Sequence, residues 1–220
     1  MKSPIILAVV AVAAIGGYTF WPSNQSSIPS NGISAAVAQD ADVDTSSILE
    51  MSMGDPDAKV TVVEYASFTC PHCRTFHSNV LKELKRDYID TGKINFVYRE
   101  VYFDRFGLWG GIVARCGGQE RYFGIANLLY EQQSDWLGGG DPTEIAGNLR
   151  TVGKTAGLTD EELNACFNDG DKAKAMVALY QKNAAADSIR ATPSFVINGE
   201  LFSNMNYADF SAAIDAKLAE

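Results

Sequence analysis

The stretch FTCPHCRTFH, residues 68–77, gathers Cys70, His72, Cys73 and His77 within a few positions. Thiols and imidazoles bind metals, and two thiols can also form a disulfide. Three chemistries therefore compete: a metal centre, a structural bridge and a redox-active pair. Structural zinc takes four ligands, commonly from two separated clusters. The remaining cysteines, Cys116 and Cys166, lie far along the chain, and there is no third histidine. A metal site is therefore disfavoured, and no cofactor is expected beyond the Cys70–Cys73 pair itself. A bridge between Cys70 and Cys73 closes too short a loop to restrict the unfolded chain much. Redox chemistry is the reading that survives.

The elements on either side favour it. VTVVEYASF, residues 60–68, is rich in β-branched and aromatic residues and predicts a buried central strand. Pro71 suits the first turn of a helix, where its missing N–H costs nothing. Phe76, Val80, Leu84 and Tyr88 recur every fourth residue, with Leu81 beside them, and predict one apolar helix face ending near Gly92. Cys70 then stands at the positive end of the helix dipole, near free backbone N–H groups that favour its thiolate. His72 adds a donor, or a positive charge when protonated, and tunes the same sulfur. A thiolate held in this way is a good leaving group, so the pair tends to pass its disulfide to another dithiol. Cys73, one turn inside, is expected to be buried and to resolve the exchange. His77 is expected on the helix surface or half-buried, with no catalytic part.

Two distant residues join the same site. Glu64 lies six residues before Cys70 in an otherwise apolar strand. Facing inward, it would be a buried carboxylate, costly unless it holds a proton or a hydrogen bond, and suited to proton exchange with Cys73. Facing solvent, it would be inert; strand alternation alone leaves both open. Pro193 follows Thr192 and directly precedes a strand. A cis bond there would present the Thr192 backbone to a bound peptide, although trans is the default for an X–Pro bond.

Around these residues the pattern predicts strands at Ser47–Met53, Ile94–Phe103 and Ser194–Asn198, a hairpin return at Glu200–Phe202 and a last helix at Tyr207–Leu218. Residues 107–189 lack any long β-branched run and read as helices, with a capping box at Thr159 and Glu162 and a helix entry at Pro142. The fold class expected is α/β, one mixed central sheet with helices on both faces and an all-helical insertion. Cys116 and Cys166 fall in that insertion. In an exported protein two leftover thiols usually pair, the alternative being two free buried cysteines. Tyr98, Tyr102, Phe103, Phe106 and Trp109 read as core and insertion packing, with a peptide groove beside Cys70 as the other use.

The chain has 220 residues, 46% hydrophobic and 20% charged, with a net charge of −9. Lys2 is the only charge before residue 39. Such an acidic surface disfavours nucleic acid and anionic lipid as partners. Lys2 followed by the apolar run Ile5–Ile15, extended to Trp21, reads as an export segment, so residues 1–21 are expected to be a signal peptide or an N-terminal membrane anchor. Residues 22–46, with Pro22, Pro29 and Gly32, read as a polar linker, and residues 47–220 as the folded domain. That domain is expected in the periplasm or otherwise outside the cytoplasm, where disulfides persist.

The run VVEYASF, then CPHC, a helix, and later TPSFVING resembles the thioredoxin superfamily over residues 47–220. The CPHC pair and the helical insertion before the proline resemble its DsbA-type thiol:disulfide oxidoreductases. The resemblance implies that Cys70 exchanges with substrate and Cys73 resolves. It also implies that Pro193 is cis, with Thr192 contacting substrate, and that Glu64 is a buried acid. It further implies reduced or unfolded exported proteins as substrates and a membrane quinone-linked reoxidase of the DsbB type. A reductase or isomerase running the same pair in reverse is the alternative. Isomerases of this superfamily usually carry a dimerising or trimerising N-terminal region, and residues 22–46 are short and polar for that, so a monomer is expected. A holdase or metal-binding module is the non-enzymatic reading.

Overall fold

A computed structural model describes residues 43–220; the export segment and most of the linker predicted upstream lie outside the described residues. The centre is a five-stranded sheet of β1 (Met51–Gly54), β2 (Val60–Ala66), β3 (Ile94–Glu100), β4 (Ser194–Ile197) and β5 (Glu200–Ser203), ordered β1-β3-β2-β4-β5. β2 and β3 run parallel, in register from Val60 opposite Ile94 to Ala66 opposite Glu100, and the other pairs are antiparallel. Parallel neighbours need a crossover. Here α1 (Pro71–Ser78), α2 (Val80–Leu84) and a π-helical turn at Lys85–Ile89 supply it. Six helices fill the chain between β3 and β4: α3 (Arg105–Cys116), α4 (Gly118–Glu131), α5 (Gln133–Leu137), α6 (Pro142–Thr155), α7 (Asp160–Asn168) and α8 (Gly170–Ala186). α9 (Tyr207–Ala219) follows the β4–β5 hairpin.

Both faces of the sheet are covered, which is why β2 reads as a continuous apolar run rather than an alternation. On one face Val60, Val62, Phe96, Phe195 and Ile197 pack against Phe76, Leu84 and Tyr88, and against Phe210 and Ile214 of α9. On the other, Val63, Tyr65, Val97 and Val196 meet Tyr180 of α8. A third cluster, with Tyr122, Leu129, Trp136, Leu149 and Leu163, is the core of the helical insertion and continues to Phe68 and Cys73. Burying each large apolar side chain contributes about 1.5–3 kcal/mol. The capping box at α7 is present, with Thr159 Oγ1 accepting from Glu162 N at 3.2 Å and Glu162 Oε2 accepting from Thr159 N at 2.7 Å.

Several boundaries differ from the sequence expectation. The first strand starts at Met51, because residues 45–48 form a turn (Ile48 N to Thr45 O, 3.1 Å) and Ile48 buries against Ile112, Ala175 and Met176 instead of pairing. β2 stops at Ala66, where a turn from Cys70 N to Ser67 O (3.0 Å) takes over. β3 stops at Glu100, and the last link to β2 is Val101 N to Ala66 O at 2.8 Å. The single helix expected after Pro71 breaks at Asn79, where ψ is −73°, and the π-helical turn then shifts its phase. Phe76, Leu84 and Tyr88 still reach the core across that break.

Candidate active site

The chain leaves β2 and turns directly into α1, and every residue of that turn is held. Thr69 Oγ1 donates to Asp104 Oδ2 at 2.7 Å and lies 3.0 Å from Ser67 Oγ. Asp104 also caps α3, accepting from the N–H groups of Phe106 and Gly107. The buried amide of Gln133 donates to the carbonyls of Phe68 (2.7 Å) and Cys70 (3.1 Å). α3 lies directly against the turn: a Cβ on Gly107 would sit 3.1 Å from Ser67 Oγ, and one on Gly110 3.2 Å from Phe68 Cβ. Glycine is needed there for close approach rather than for backbone freedom.

Cys70 is the N-cap of α1 and Pro71 its first residue, with no acidic side chain in the first turn to oppose a thiolate. Its Sγ is partly exposed and 3.5 Å from the carbonyl oxygen of Thr192. The Thr192–Pro193 bond is cis, and Pro193 is buried. The Cys70 thiol is brought down from 9.0 to about 5. The hydrogen bond from the Cys73 side chain is the largest cause, followed on the favourable side by Thr192 and by the backbone N–H groups of Cys73 and His72, with burial opposing. Cys73 is fully buried, and its thiol is pushed far up by burial, by its bond to Cys70 and by the negative charge of Glu64. The two sulfurs thus divide the work: one is ionised and accessible, the other protonated and enclosed.

Glu64 shares the face of Val62, turned towards α1, and is fully buried. Its two oxygens lie 3.0 and 3.2 Å from His77 Nε2. His77 corrects the sequence expectation. It is 7% exposed rather than half-buried or at the surface, because it follows Cys73 by one helical turn and points to the same interior. Its ring lies 4.1 Å from that of Tyr130 and edge-on to Tyr98. The phenol oxygens of Tyr98 and Tyr130 are 2.6 Å apart, and Tyr130 also donates to Ser67 O at 3.2 Å.

The remaining predicted residues fall as follows. The His72 side chain is exposed, and its backbone N–H is among the groups that lower the Cys70 thiol. Cys116, the last residue of α3, is bridged to Cys166 of α7, with their Cα atoms 5.8 Å apart, and so ties two helices of the insertion together. Among the described residues no three His, Cys, Asp or Glu side chains converge as metal ligands. Phe106 and Trp109 meet edge to face at 5.4 Å under the Arg105 guanidinium and, like Cys70, pack against the core cluster that includes Cys73. Phe103 is 58% exposed, whereas Tyr98 is core and Tyr102 packs on Tyr180. Asp104 and Gln133 had no signal near the cysteines, since each is brought in from more than thirty residues away by α3 and α5.

Comparison with known proteins places these features in context. The sequence matches the family described as Thioredoxin over residues 46–216. A Rickettsia bellii protein named "Putative protein-disulfide oxidoreductase" is 36% identical over 172 residues, which cover 78% of this chain and 65% of that protein. The chain therefore spans a little under two thirds of that relative. Disulfide bond formation protein D of Bacillus subtilis is 25% identical over 178 residues, covering 76% of each chain. The crystal structure of Wolbachia pipientis alpha-DsbA1 superposes with a TM-score of 0.72 at 27% identity, over 77% of this chain and 91% of that one.

Proposed function

We propose a function from one premise: the chain belongs to the thioredoxin family. It is a protein thiol:disulfide oxidoreductase that works outside the cytoplasm and donates the Cys70–Cys73 disulfide to reduced, newly exported proteins. The observation that carries this reading is the asymmetry of the pair. Cys70 is accessible at a helix N-terminus beside the Thr192 carbonyl and has a stabilised thiolate; Cys73 is buried and held as a thiol. The names and folds of the relatives support the same chemistry.

In the oxidised protein a substrate thiolate attacks Cys70 Sγ. The Cys70–Cys73 bond breaks, and Cys73 takes its electron pair and a proton. A mixed disulfide now joins substrate to Cys70, beside the Thr192 backbone carbonyl. A second substrate thiolate attacks the substrate sulfur of that bond, and Cys70 departs as a thiolate. Its low pKa makes it a good leaving group and drives the step towards substrate oxidation. Two electrons have passed from the substrate dithiol to the pair. A membrane quinone-linked reoxidase of the DsbB type returns the pair to the disulfide.

The test is oxidation of a reduced, unfolded disulfide protein by the oxidised chain, together with the reduction potential of the pair in glutathione buffers. Stoichiometric transfer of one disulfide, lost in Cys70→Ser, is expected. A potential near that of thioredoxin, about −270 mV, would reverse the direction and sink the donor reading. Activity retained in Cys70→Ser would remove all the redox readings.

A further inference from the structure

We infer that His77 is a positioning residue of this exchange: with Glu64 it forms a relay that carries a proton between solvent and Cys73. The inference rests on the function proposed above and adds a residue to it.

The need for a relay follows from burial. When the Cys70–Cys73 bond breaks, Cys73 leaves with the electron pair, yet its surroundings oppose a thiolate. It must therefore gain a proton on reduction and lose it on reoxidation. Neither Cys73 nor Glu64 is exposed to solvent, so neither can exchange with bulk water directly. Glu64 is close enough for its charge to raise the Cys73 thiol. Among the described residues, both Glu64 oxygens bond to His77 Nε2 and to no other side chain. His77 in turn lines a cleft of about 290 Å³ formed with Met53, Leu81, Phe123 and Asn127 and rimmed by Lys82 and Lys85. The contacts thus run from the cleft through the imidazole to the carboxylate, and Cys73 is buried one helical turn before His77 on the same helix. Imidazole suits this place because its two nitrogens can take a proton on one side and release it on the other.

Other titratable groups around His77 are poor carriers. Tyr98 faces it from β3 and Tyr130 from α4, and burial holds both phenols neutral far beyond the working pH range. Lys82 and Lys85 stand at the cleft, and Lys85 is paired with Asp90. Glu64 and His77 are left as the proton carriers. The step balances as follows. A substrate thiolate forms a bond to Cys70 Sγ while the Cys70–Cys73 bond breaks. Cys73 takes the electron pair and one proton from the Glu64–His77 pair, which recovers a proton from water in the cleft. A second substrate thiolate then releases Cys70 as a thiolate. Of the two protons the substrate dithiol gives up, one ends on Cys73 and one in water.

The test is stopped-flow reduction of the oxidised full chain by dithiothreitol between about pH 5 and pH 8. His77→Gln keeps an amide donor for Glu64, so the carboxylate is not orphaned, but it cannot pass a proton. Proton transfer by positioned groups contributes about 10²–10⁴-fold, and we expect His77→Gln to slow the reaction at least tenfold and to flatten its pH profile. Glu64→Gln should do the same. The double variant should be no slower than the slower single one, because the two act in series. Free imidazole should restore the rate of His77→Ala through the vacated cleft wall. A measurement on the wild-type chain does not depend on variant folding: its reduction should be slower in D₂O than in water when compared at equal dithiothreitol thiolate concentration. A His77→Gln variant with the wild-type rate and pH profile would overturn the relay, as would single losses that multiply in the double variant or a wild-type rate indifferent to D₂O. A wild-type chain that oxidises no substrate would instead overturn the function proposed above.

Discussion

Replacing Cys73 by alanine tests what stabilises the Cys70 thiolate. The largest cause of the fall from 9.0 to about 5 is the hydrogen bond from the Cys73 thiol. A hydrogen bond to a charged acceptor is worth about 1.5–3 kcal/mol, and one pKa unit corresponds to about 1.36 kcal/mol. Cys73→Ala should therefore raise the Cys70 midpoint by about 1–2 units, to roughly 6–7. The depression that remains belongs to Thr192 and to the N–H groups of residues 72 and 73, which the substitution leaves in place. The assay is ultraviolet thiolate absorbance of the reduced protein against pH, with Cys70→Ser as the baseline. Cys73 does not confuse the wild-type curve, because its thiol ionises far above this range. An unchanged midpoint in Cys73→Ala would place the cause in Thr192 and the helix N-terminus instead. A wild-type midpoint above about 8 would refute the electrostatic reading of the site altogether. The consequence for direction is large. At pH 7 a thiol with a midpoint of about 5 favours its reduced form by at most about 3 kcal/mol over one left at 9.0. That is about 60 mV in the potential of the pair, an upper bound because Cys70 is partly exposed and screened.

Two further outcomes follow from the same geometry. Because the folded Cys70 midpoint lies below its unfolded value, the thiolate stabilises the reduced fold fully above pH 9 and progressively less as pH falls through about 5. The oxidised protein has no such group, so the reduced form should melt at the higher temperature at pH 7, and the gap should close towards pH 5; calorimetry of both forms showing a gap independent of pH would contradict this. Removing the Cys116–Cys166 bridge, which spans 50 residues, should lower stability by about 4 kcal/mol if the bridge acts on the unfolded chain. A denaturant titration of the Cys116→Ser/Cys166→Ser variant measures it, and a loss under about 1 kcal/mol would remove the entropic account. Exchange at Cys70 should survive in the folded variant.

Cys70 and Cys73 were legible because local patterns bracket them: a β-branched run ends, Pro71 opens a helix, and the dipole does the rest. Glu64 was not, for a physical reason. Alternation assigns a face only when one face is wet, and β2 is buried on both, against α1 and α9 on one side and α8 on the other. The long helix was read as continuous because apolar spacing reports a face and is blind to one irregular residue, here Asn79. Asp104, through Thr69, and Gln133 reach the active-site turn only through the tertiary fold. His77 is a different case, since its signal was present. It lies four residues after Cys73 and three before Val80, on the stripe that the apolar periodicity marks as interior. A carboxylate fully buried without a donor costs several kcal/mol, so an inward Glu64 requires a partner. The chain has two histidines, and one of them, His72, is exposed in the first turn of α1. An inward Glu64 and an inward His77 each lack a partner when taken alone, and together they satisfy each other. Burial of either one is therefore an argument for burial of the other, and for a proton shared between them behind Cys73.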